Sequence, residues 1–244
     1  MATPEHLCPF GLKSKSLLEW RGYEVDDHLL TSRAEQDAFK AEHDVKTTPQ
    51  TFIGGERVGG YDDLQRHFGK HVKSKDETTY RPVIAIFATT ALMALALVFN
   101  LYEGFPIATW VKWFFAFSMV ALALQKLQDV DGFVNGFLGY DLLARRKVTY
   151  GYIYPYAEAF AGLGMMALIS NMNWAVLPVA SVSLFIGTIG AVSVVKAVYI
   201  DKRELKCACV GGGSNVPLGF ISLTENLVMM VMGAWMLAEW FSLI

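Results

Sequence analysis

Apolar residues are distributed unevenly along the chain. From residue 82 onwards they form five long runs, approximately 82–101, 109–127, 152–170, 174–199 and 216–241. Each run is close to the roughly 20 residues that a helix needs to cross the hydrocarbon core of a bilayer. The pattern therefore predicts an all-α, multi-pass membrane domain with five transmembrane helices.

Residues 1–81 follow a different pattern, in which short apolar stretches alternate with charged residues and glycines. This part carries 12 Lys or Arg and 14 Asp or Glu, whereas residues 82–244 carry nine of each. Apolar spacing and turn residues predict helices at 12–21, at 31–42 with a Thr31 or Ser32 cap, and after Gly60, and strands at 23–25, 50–53 and 57–58. We therefore expect a polar α/β domain ahead of the membrane domain.

The amino-acid composition limits which cofactors and partners we expect for the two parts. All five histidines lie in residues 1–81, so a His-ligated haem or zinc within the membrane is not expected. The net charge is near zero, without a basic patch, and we expect no nucleic-acid partner. The first residues do not read as a secretory signal, which predicts a cytoplasmic polar domain. In that reducing compartment, cysteines indicate redox or metal chemistry rather than structural bridges.

The three cysteines fall at two places. Cys207 and Cys209, one residue apart and followed by a glycine run, lie between the last two apolar runs. Such a pair can close a small disulfide ring or share a soft metal ion. Cys8, beside Pro9, lies just before a predicted helix, where free backbone N–H groups and the helix dipole favour the thiolate. A buried structural cysteine is the alternative at that position. We predict catalytic roles for all three cysteines and no metal site.

Three motifs make the polar domain resemble a glutaredoxin. They are Cys8-Pro9-Phe10-Gly11, Thr48-Pro49 and Gly59-Gly60-Tyr61-Asp62-Asp63. The resemblance implies a thioredoxin-like fold over residues 1–76 and a nucleophilic role for Cys8. It also implies glutathione as the ligand, bound by Pro9, Phe10, Thr48, Pro49, Gly60, Tyr61 and Asp62.

The chain departs from the glutaredoxin pattern in two ways. Gly11 stands where a second, resolving cysteine is usual, so oxidised Cys8 has to pass its oxidation to glutathione or to a thiol elsewhere. The strand that normally precedes the active-site turn is missing or reduced to a few residues. The domain is therefore expected to be shortened at its amino-terminal end.

Two carboxylates, Glu158 and Glu225, lie inside predicted spans. An ionisable residue within a membrane is costly and is by default a functional hypothesis. The alternative is structural, with Glu158 hydrogen-bonded to tyrosines or to a lysine and ordering the bundle. Lys126, near the end of its run, is expected to snorkel towards the membrane surface.

Residues 110–241 also resemble the methylamine-utilisation MauE and DoxX group of four-helix membrane proteins. The resemblance is carried by Leu124-Gln125-Lys126-Leu127-Gln128-Asp129, Tyr140, Pro155, Glu158, Cys207-Ala208-Cys209-Val210-Gly211 and Glu225-Asn226. It implies a four-helix domain over residues 109–244. Residues 77–108 are then a linker and an additional helix.

The distribution of Lys and Arg predicts a cytoplasmic amino terminus and an external carboxyl terminus in a bacterial-type cytoplasmic membrane. Four of the predicted spans separate the polar domain from the Cys207 loop. An even number of crossings predicts that Cys8 and this loop face the same compartment.

These features predict a membrane-bound thiol–disulfide redox protein, in which Cys8 exchanges with Cys207 and Cys209 and with glutathione or a partner protein. A quinone in the bilayer is a possible electron acceptor, although no motif identifies one. The alternatives are a non-enzymatic maturation or assembly factor for a disulfide-containing or metal enzyme, and a transporter-like bundle that uses Glu158 and Glu225.

Overall fold

The computed structural model describes residues 2–3, 6–72, 74, 77–208 and 215–243. The chain divides into two compact units, Met1–Lys75 and Asp76–Ile244. We call them the polar unit and the membrane unit and describe each by itself.

The polar unit contains two short β-hairpins and three helices. Its elements are β1 (Ala2–Thr3), β2 (His6–Leu7), α1 (Pro9–Trp20), α2 (Arg33–Glu42), β3 (Thr51–Ile53), β4 (Glu56–Gly59) and α3 (Tyr61–His67). Strand β1 pairs with β2 and β3 pairs with β4, both in antiparallel register. Leu17 and Leu18 of α1 and Leu64 of α3 form its small buried core.

Local sequence signals account for these elements. Pro9 occupies the first turn of α1, where a helix needs no N–H from it. Ser32 caps α2 by accepting a hydrogen bond of 3.2 Å from the Glu35 backbone N–H. Gly54 and Gly55 supply the positive φ angles, 59° and 84°, of the β3–β4 turn. The predictions of α2, of this hairpin and of α3 are confirmed.

The helix predicted at 12–21 is α1, which begins three residues earlier, at Pro9, because a proline in the first turn can start a helix. The prediction of a strand at residues 23–25 is wrong, since they form none. Val25 packs on the small core, and Lys15 Nζ holds Asp27 Oδ2 at 3.2 Å, so this segment is fixed by side chains instead of a strand partner. The described strands form two separate two-stranded sheets, and a complete thioredoxin-like sheet stays a prediction.

The membrane unit is helical. Its elements are α4 (Arg81–Leu101), α5 (Ile107–Gln128), the short α6 (Val130–Phe137), α7 (Val148–Leu168), α8 (Val176–Val194), which continues as a π-helical segment over Val195–Ile200, and α9 (Phe220–Trp240). In the described part of the chain, four helices are long and apolar enough to cross a membrane: α4, α5, α8 with its π-helical extension, and α9.

The prediction of five spans is therefore corrected to four candidate spans in the described residues. The run predicted at 152–170 corresponds to α7, which has 21 residues but is less apolar than the others. Four tyrosines between residues 150 and 156, together with Pro155 and Glu158, lie in its first half. Helix α7 packs against α5 and α8, and its Tyr154 and Glu158 side chains are buried.

Small residues allow the helices of the bundle to approach closely. Ser183 Oγ of α8 donates to the Met229 carbonyl of α9 at 2.8 Å, and a Cβ on Gly187 would lie 2.8 Å from the Asn226 carbonyl oxygen. Gly162 of α7 packs in the same way against α5, where an added Cβ would lie 2.9 Å from Val120. The small-residue face of α8 is thus an interface with α9.

Two contacts identify the ends of the bundle. Tyr102, just after α4, has its hydroxyl 3.2 Å from the Ser170 hydroxyl, just after α7. Thr79, just before α4, donates its backbone N–H to the Asn215 carbonyl at 3.3 Å. Because α4 is 21 residues long, these contacts mark opposite ends. The start of α4 and the chain that follows the Cys207 loop therefore lie at the same end.

Candidate functional site

Cys8 occupies the N-cap position of α1, with Pro9 in the first helical turn. Its carbonyl accepts the first helical hydrogen bond, from the Leu12 N–H at 3.3 Å. The side chain is half-buried and is a free thiol. The thiol thus lies at the amino-terminal end of the helix, and it makes no capping hydrogen bond.

A cleft of about 640 Å³ opens beside Cys8. Thr48 and Pro49 also line it, and the peptide bond between them is cis. Gln36 Nε2 holds the Thr48 hydroxyl at 2.7 Å and so attaches this turn to α2. The cleft is large enough for a peptide-sized ligand in contact with the thiol.

Of the remaining residues predicted to bind glutathione, Gly60 lies at this turn. A Cβ on Gly60 would be 3.7 Å from the Pro49 carbonyl oxygen, so the start of α3 packs directly on the cis-Pro turn. Tyr61 lies 6.4 Å from Phe10 between ring centroids. Asp62 is exposed in the first turn of α3. Thr48, Pro49 and Gly60 are thus brought together, and Tyr61 with Phe10 forms a second small group.

Gly11 retains the geometry of a two-cysteine motif. A Cβ added at Gly11 would lie 3.9 Å from the Cys8 Cβ. Disulfides have Cβ–Cβ separations of about 3.5–4.5 Å. The backbone of this turn therefore fits a disulfide between positions 8 and 11, although only one of the two sulfurs is present.

The Cys207 loop is held at its base by antiparallel backbone pairing. The Cys207 N–H donates to the Val216 carbonyl at 2.7 Å, and the Leu218 N–H donates to the Leu205 carbonyl at 2.8 Å. Lys206 Nζ reaches Asn215 Oδ1 at 2.6 Å. Residues 209–214, including Cys209, lie outside the described residues. The base fixes both ends of the loop at the end of the bundle.

Cys207 is disulfide-bonded and buried, with 3% of its surface exposed. Ser222, in the first turn of α9, donates its hydroxyl to Cys207 Sγ at 3.0 Å. Asn226 Nδ2 donates to the Ser222 carbonyl at 2.7 Å. A cysteine in this setting is shielded from solvent, and its sulfur already receives a hydrogen bond.

A buried ion cluster lies deeper in the bundle. Lys126 Nζ of α5 is 2.8 and 2.7 Å from the two carboxylate oxygens of Glu158 on α7, and 2.8 Å from Glu225 Oε1 on α9. The Lys126 side chain is 2% exposed, Glu158 0% and Glu225 5%. Lys126 therefore does not snorkel, and the prediction that it does is wrong. Two carboxylates from different helices replace the water that its ammonium would otherwise require.

Two residues between α6 and α7 have polar contacts with the start of the Cys207 loop and with α8. The Tyr140 hydroxyl receives a backbone hydrogen bond from Ala208, next to Cys207, and its pKa is raised by burial and then by the charge of Glu225. Asp141 accepts backbone hydrogen bonds from Leu143 and Ala144 and one from the Ser193 hydroxyl. Burial raises the pKa of Asp141. This connection thus anchors α8 and supports the Cys207 loop.

Comparison with known protein families covers most of the membrane unit. The family model for methylamine utilisation protein MauE matches residues 85–239, more than half of the chain.

The chain belongs to the MauE family. The MauE match begins within α4 and so includes most of this helix, and the division into an additional helix and a four-helix core over residues 109–244 stays a prediction. Of the two names that the sequence suggested, MauE is the one supported. The match contains Lys126, Glu158, Glu225 and Cys207 and therefore spans the ion cluster and the described part of the loop.

A second comparison covers less of the chain. Over 61 residues the chain is 39% identical to the hybrid peroxiredoxin hyPrx5 of Haemophilus influenzae, which is 25% of each protein. The chain thus matches about a quarter of the length of this curated relative. The short likeness is compatible with a redox domain of thioredoxin type, and the glutaredoxin assignment rests on the three motifs. No solved structure matches the chain at a significant level.

Sequence reasoning missed the roles of Lys126, Ser222 and Tyr140. Lys126 was assigned to a helix end, although a lysine in a span with two carboxylates in other spans is itself a signal for pairing. Tyr140 contributed only to the family resemblance. Ser222 gave no signal, because a serine in the first turn of an apolar helix is common, and its proximity to Cys207 depends on how the loop folds back.

Proposed function

We propose that this protein is a membrane-bound thiol–disulfide redox protein in which Cys8 exchanges with the disulfide of the Cys207 loop. One observation carries the proposal: Cys8 is a free thiol at a helix start, whereas Cys207 is disulfide-bonded. These are the two reactants of thiol–disulfide exchange. Membership of the MauE family and the likeness to a hybrid peroxiredoxin are compatible with a redox role.

The burial of Cys207 suggests a direction for the exchange. At 3% exposure its sulfur is a poor target, while the Ser222 hydroxyl is placed to stabilise it as a departing thiolate. We propose that the Cys8 thiolate attacks Cys209. A Cys8–Cys209 disulfide forms, the bond to Cys207 breaks, and the electron pair of that bond leaves with Cys207.

Glutathione is the proposed small-molecule partner of the polar unit. The cleft beside Cys8, the cis Thr48–Pro49 turn and the adjacent Gly60 form a surface suited to a peptide backbone. With Gly11 in place of a second cysteine, a Cys8–glutathione disulfide needs an external thiol for its release. Glutathione and the Cys207 loop are then successive partners of the same sulfur.

We place the polar unit and the Cys207 loop on the same, cytoplasmic side of the membrane. The hydrogen bond from Thr79 to Asn215 supports this placement, because it puts the entry to α4 and the end of the loop at one end of the bundle. The Lys and Arg bias supports the cytoplasmic side. Membrane-impermeant thiol reagents should label Cys8 and, after reduction, the loop cysteines from that side; labelling from opposite sides would contradict the placement.

Trapping of the mixed disulfide tests the exchange. In the full-length protein, Cys207→Ser should leave Cys209 able to bond to Cys8, and mild oxidation should accumulate a Cys8–Cys209 crosslink that mass spectrometry of non-reduced peptides detects. Cys209→Ser should accumulate less, because the remaining sulfur is buried. Cys8→Ser is the control and should give neither crosslink. If both loop variants carry only glutathione on Cys8, the two sites act independently.

A maturation factor is the second candidate, favoured by the family description as a methylamine utilisation protein. In that role the polar unit would dock a disulfide-containing or metal enzyme without turnover. Incubation with a glutathionylated peptide distinguishes the two candidates. Repeated release of glutathione supports the redox protein, whereas a stable complex with a client protein, unaffected by Cys8→Ser, supports the maturation factor.

A further inference from the structure

A groove of about 340 Å³ runs between α8 and α9 on a partly exposed face of the membrane unit. Its volume is within the range of binding sites for small molecules. Its walls are almost entirely apolar, and some of them are open to the surroundings, since Val192 is 53% and Leu227 45% exposed. The apolar lining includes Val192, Val195 and Ile200 of α8 and its π-helical extension, and Leu223, Leu227 and Met230 of α9.

The groove extends from the middle of the two helices to one end of them. Thr188 is the central residue of the candidate span Val176–Ile200, and Met230 is the central residue of α9. Both residues line the groove. A helix rises about 18 Å between residues 188 and 200, which is close to the ~15 Å of hydrocarbon in one leaflet. The groove therefore has the position and the length of a lipid chain within a single leaflet.

The end of the groove at the membrane surface is basic. Between residues 195 and 206 the chain has four basic and two acidic residues, a net charge of +2. The Arg203 N–H donates to the Ala197 carbonyl at 3.0 Å, so the chain after α8 folds back on the end of the helix. Lys202 and Arg203 are both exposed. This hydrogen bond holds the two residues next to the surface end of the groove.

The same end is formed by the π-helical segment Val195–Ile200. Short π-helical segments are rare and are frequent at functional sites. Lys196 of this segment lines the groove, and its Nζ is 3.0 Å from Asp201 Oδ1. Because this ammonium already has a carboxylate partner, the net positive charge is available to an external anion chiefly through Lys202 and Arg203.

We propose that the groove binds an anionic phospholipid from the leaflet at this end of the bundle. One acyl chain lies along the apolar walls, and the phosphate is bound by Lys202 and Arg203. Basic residues at the membrane surface recognise anionic headgroups in this way. A quinone has a long apolar chain but brings no negative charge to the basic end. A second copy of this chain would cover the apolar walls with a surface that carries the same positive charge.

Lipid binding to the purified full-length protein tests this inference separately from its redox chemistry. The protein is freed of lipid in a non-denaturing detergent and titrated with dioleoyl phosphatidylglycerol or dioleoyl phosphatidylcholine, and native mass spectrometry gives the Kd of the first bound lipid. The two lipids have the same chains, so their difference reports the headgroup. Phosphatidylglycerol should bind about 20-fold more tightly, from about fivefold for each of two basic residues at the membrane surface.

A first pair of variants tests the basic end. The double substitution Lys202→Gln with Arg203→Gln should weaken phosphatidylglycerol binding to the level of phosphatidylcholine and leave phosphatidylcholine unchanged. Arg146→Gln with Lys147→Gln is the matched control, because these two residues are also consecutive, basic and exposed but do not line the groove. It should bind both lipids as the wild type does.

A second pair of variants tests the apolar walls. Leu227→Trp fills the groove with a larger side chain and should weaken the binding of both lipids at least tenfold. Because Leu227 is partly exposed, the melting temperature in lipid-free detergent should not change. Leu92→Trp is the matched control, since Leu92 lies on another candidate span, α4, is 64% exposed and is not part of the groove. It should have no effect on either Kd.

Four results would overturn the proposal. The first is an equal Kd of the wild type for the two lipids, and the second is unchanged lipid binding in Leu227→Trp. The third is an equal loss in either control variant, because binding would then not depend on this groove. The fourth is that Leu227→Trp releases a copurified quinone or separates a dimer while both phospholipid Kd values stay the same, which would assign the groove to that other occupant.

Discussion

The two units of this protein differ in how deeply some of their charges are buried. In the polar unit, ion pairs lie at the surface, such as Lys15 with Asp27, whose side chains are 42% and 38% exposed. In the membrane unit, Lys126 and Glu158 are 2% and 0% exposed. The cysteines follow the same division, because Cys8 borders an open cleft and Cys207 is buried in the bundle core.

The contrast indicates which charges need a functional explanation. A surface pair contributes about 0–1 kcal/mol and costs little to keep. Burying a charge costs several kcal/mol, and a hydrophobic replacement of a whole buried cluster is often neutral or stabilising. A cluster of three ionisable groups inside a helical bundle is therefore not explained by stability alone. In the polar unit, by contrast, the functional information lies in Cys8 and its cleft.

The largest expected effect comes from removing the central cation. Lys126→Met leaves Glu158 and Glu225 together without a counter-charge and should lower the free energy of unfolding by about 3–5 kcal/mol. Because protonation neutralises an unpaired carboxylate, the loss should shrink as the pH falls. Thermal unfolding of the purified protein in detergent, followed over a range of pH, measures both effects.

Lys112→Met is the matched control for this prediction. Lys112 also lies on α5 and pairs with a glutamate of α9, but the side chains of that pair are 20% and 28% exposed. Its loss should cost clearly less and depend less on pH. Equal destabilisation by the two substitutions would show that burial is not what distinguishes the cluster.

A smaller effect is expected where α8 touches α9 below the Cys207 loop. A Cβ on Gly190 would lie 1.8 Å from Asn226 Oδ1, so Gly190→Ala should displace the side chain that holds the Ser222 carbonyl and cost about 1–3 kcal/mol. Gly219→Ala, with no atom within 4 Å of the added Cβ, should be close to neutral. A melting temperature unchanged by Gly190→Ala would contradict this packing.

The smallest effect on stability, but a clear chemical one, is expected at Gly11. Its separation from Cys8 fits a disulfide, so Gly11→Cys should produce an internal bond that displaces glutathione from Cys8. Mass spectrometry should show that the glutathione adduct is absent and that the protein has lost two hydrogens on forming the disulfide. The unfolding of the membrane unit should be unchanged. Ser16→Cys, eight residues after Cys8 and about 12 Å along the helix, should keep the adduct.

Much of the architecture follows from local patterns in the sequence. The apolar runs located α4, α5, α8 and α9, because a bilayer requires helices of a given length and composition. The Ser32 cap and the Gly54-Gly55 turn placed α2 and the β3–β4 hairpin, since both signals act within a few residues. Cys8, Pro49 and Gly60 were predicted as site residues because each belongs to a short motif of neighbouring residues.

Tertiary structure alone decided what the buried groups contact. Glu158 and Glu225 could be recognised from the sequence as costly, but their common partner, Lys126, lies 32 and 99 residues away along the chain. The hydrogen bond from Ser222 to Cys207 depends on the loop folding back over α9. Helix α7 was predicted from its apolar run, but the burial of Tyr154 and Glu158, which are unfavourable in lipid, depends on the neighbouring helices α5 and α8. Hydropathy reports how well each segment by itself is solvated by water or lipid. These contacts depend instead on which neighbouring segments replace that solvent.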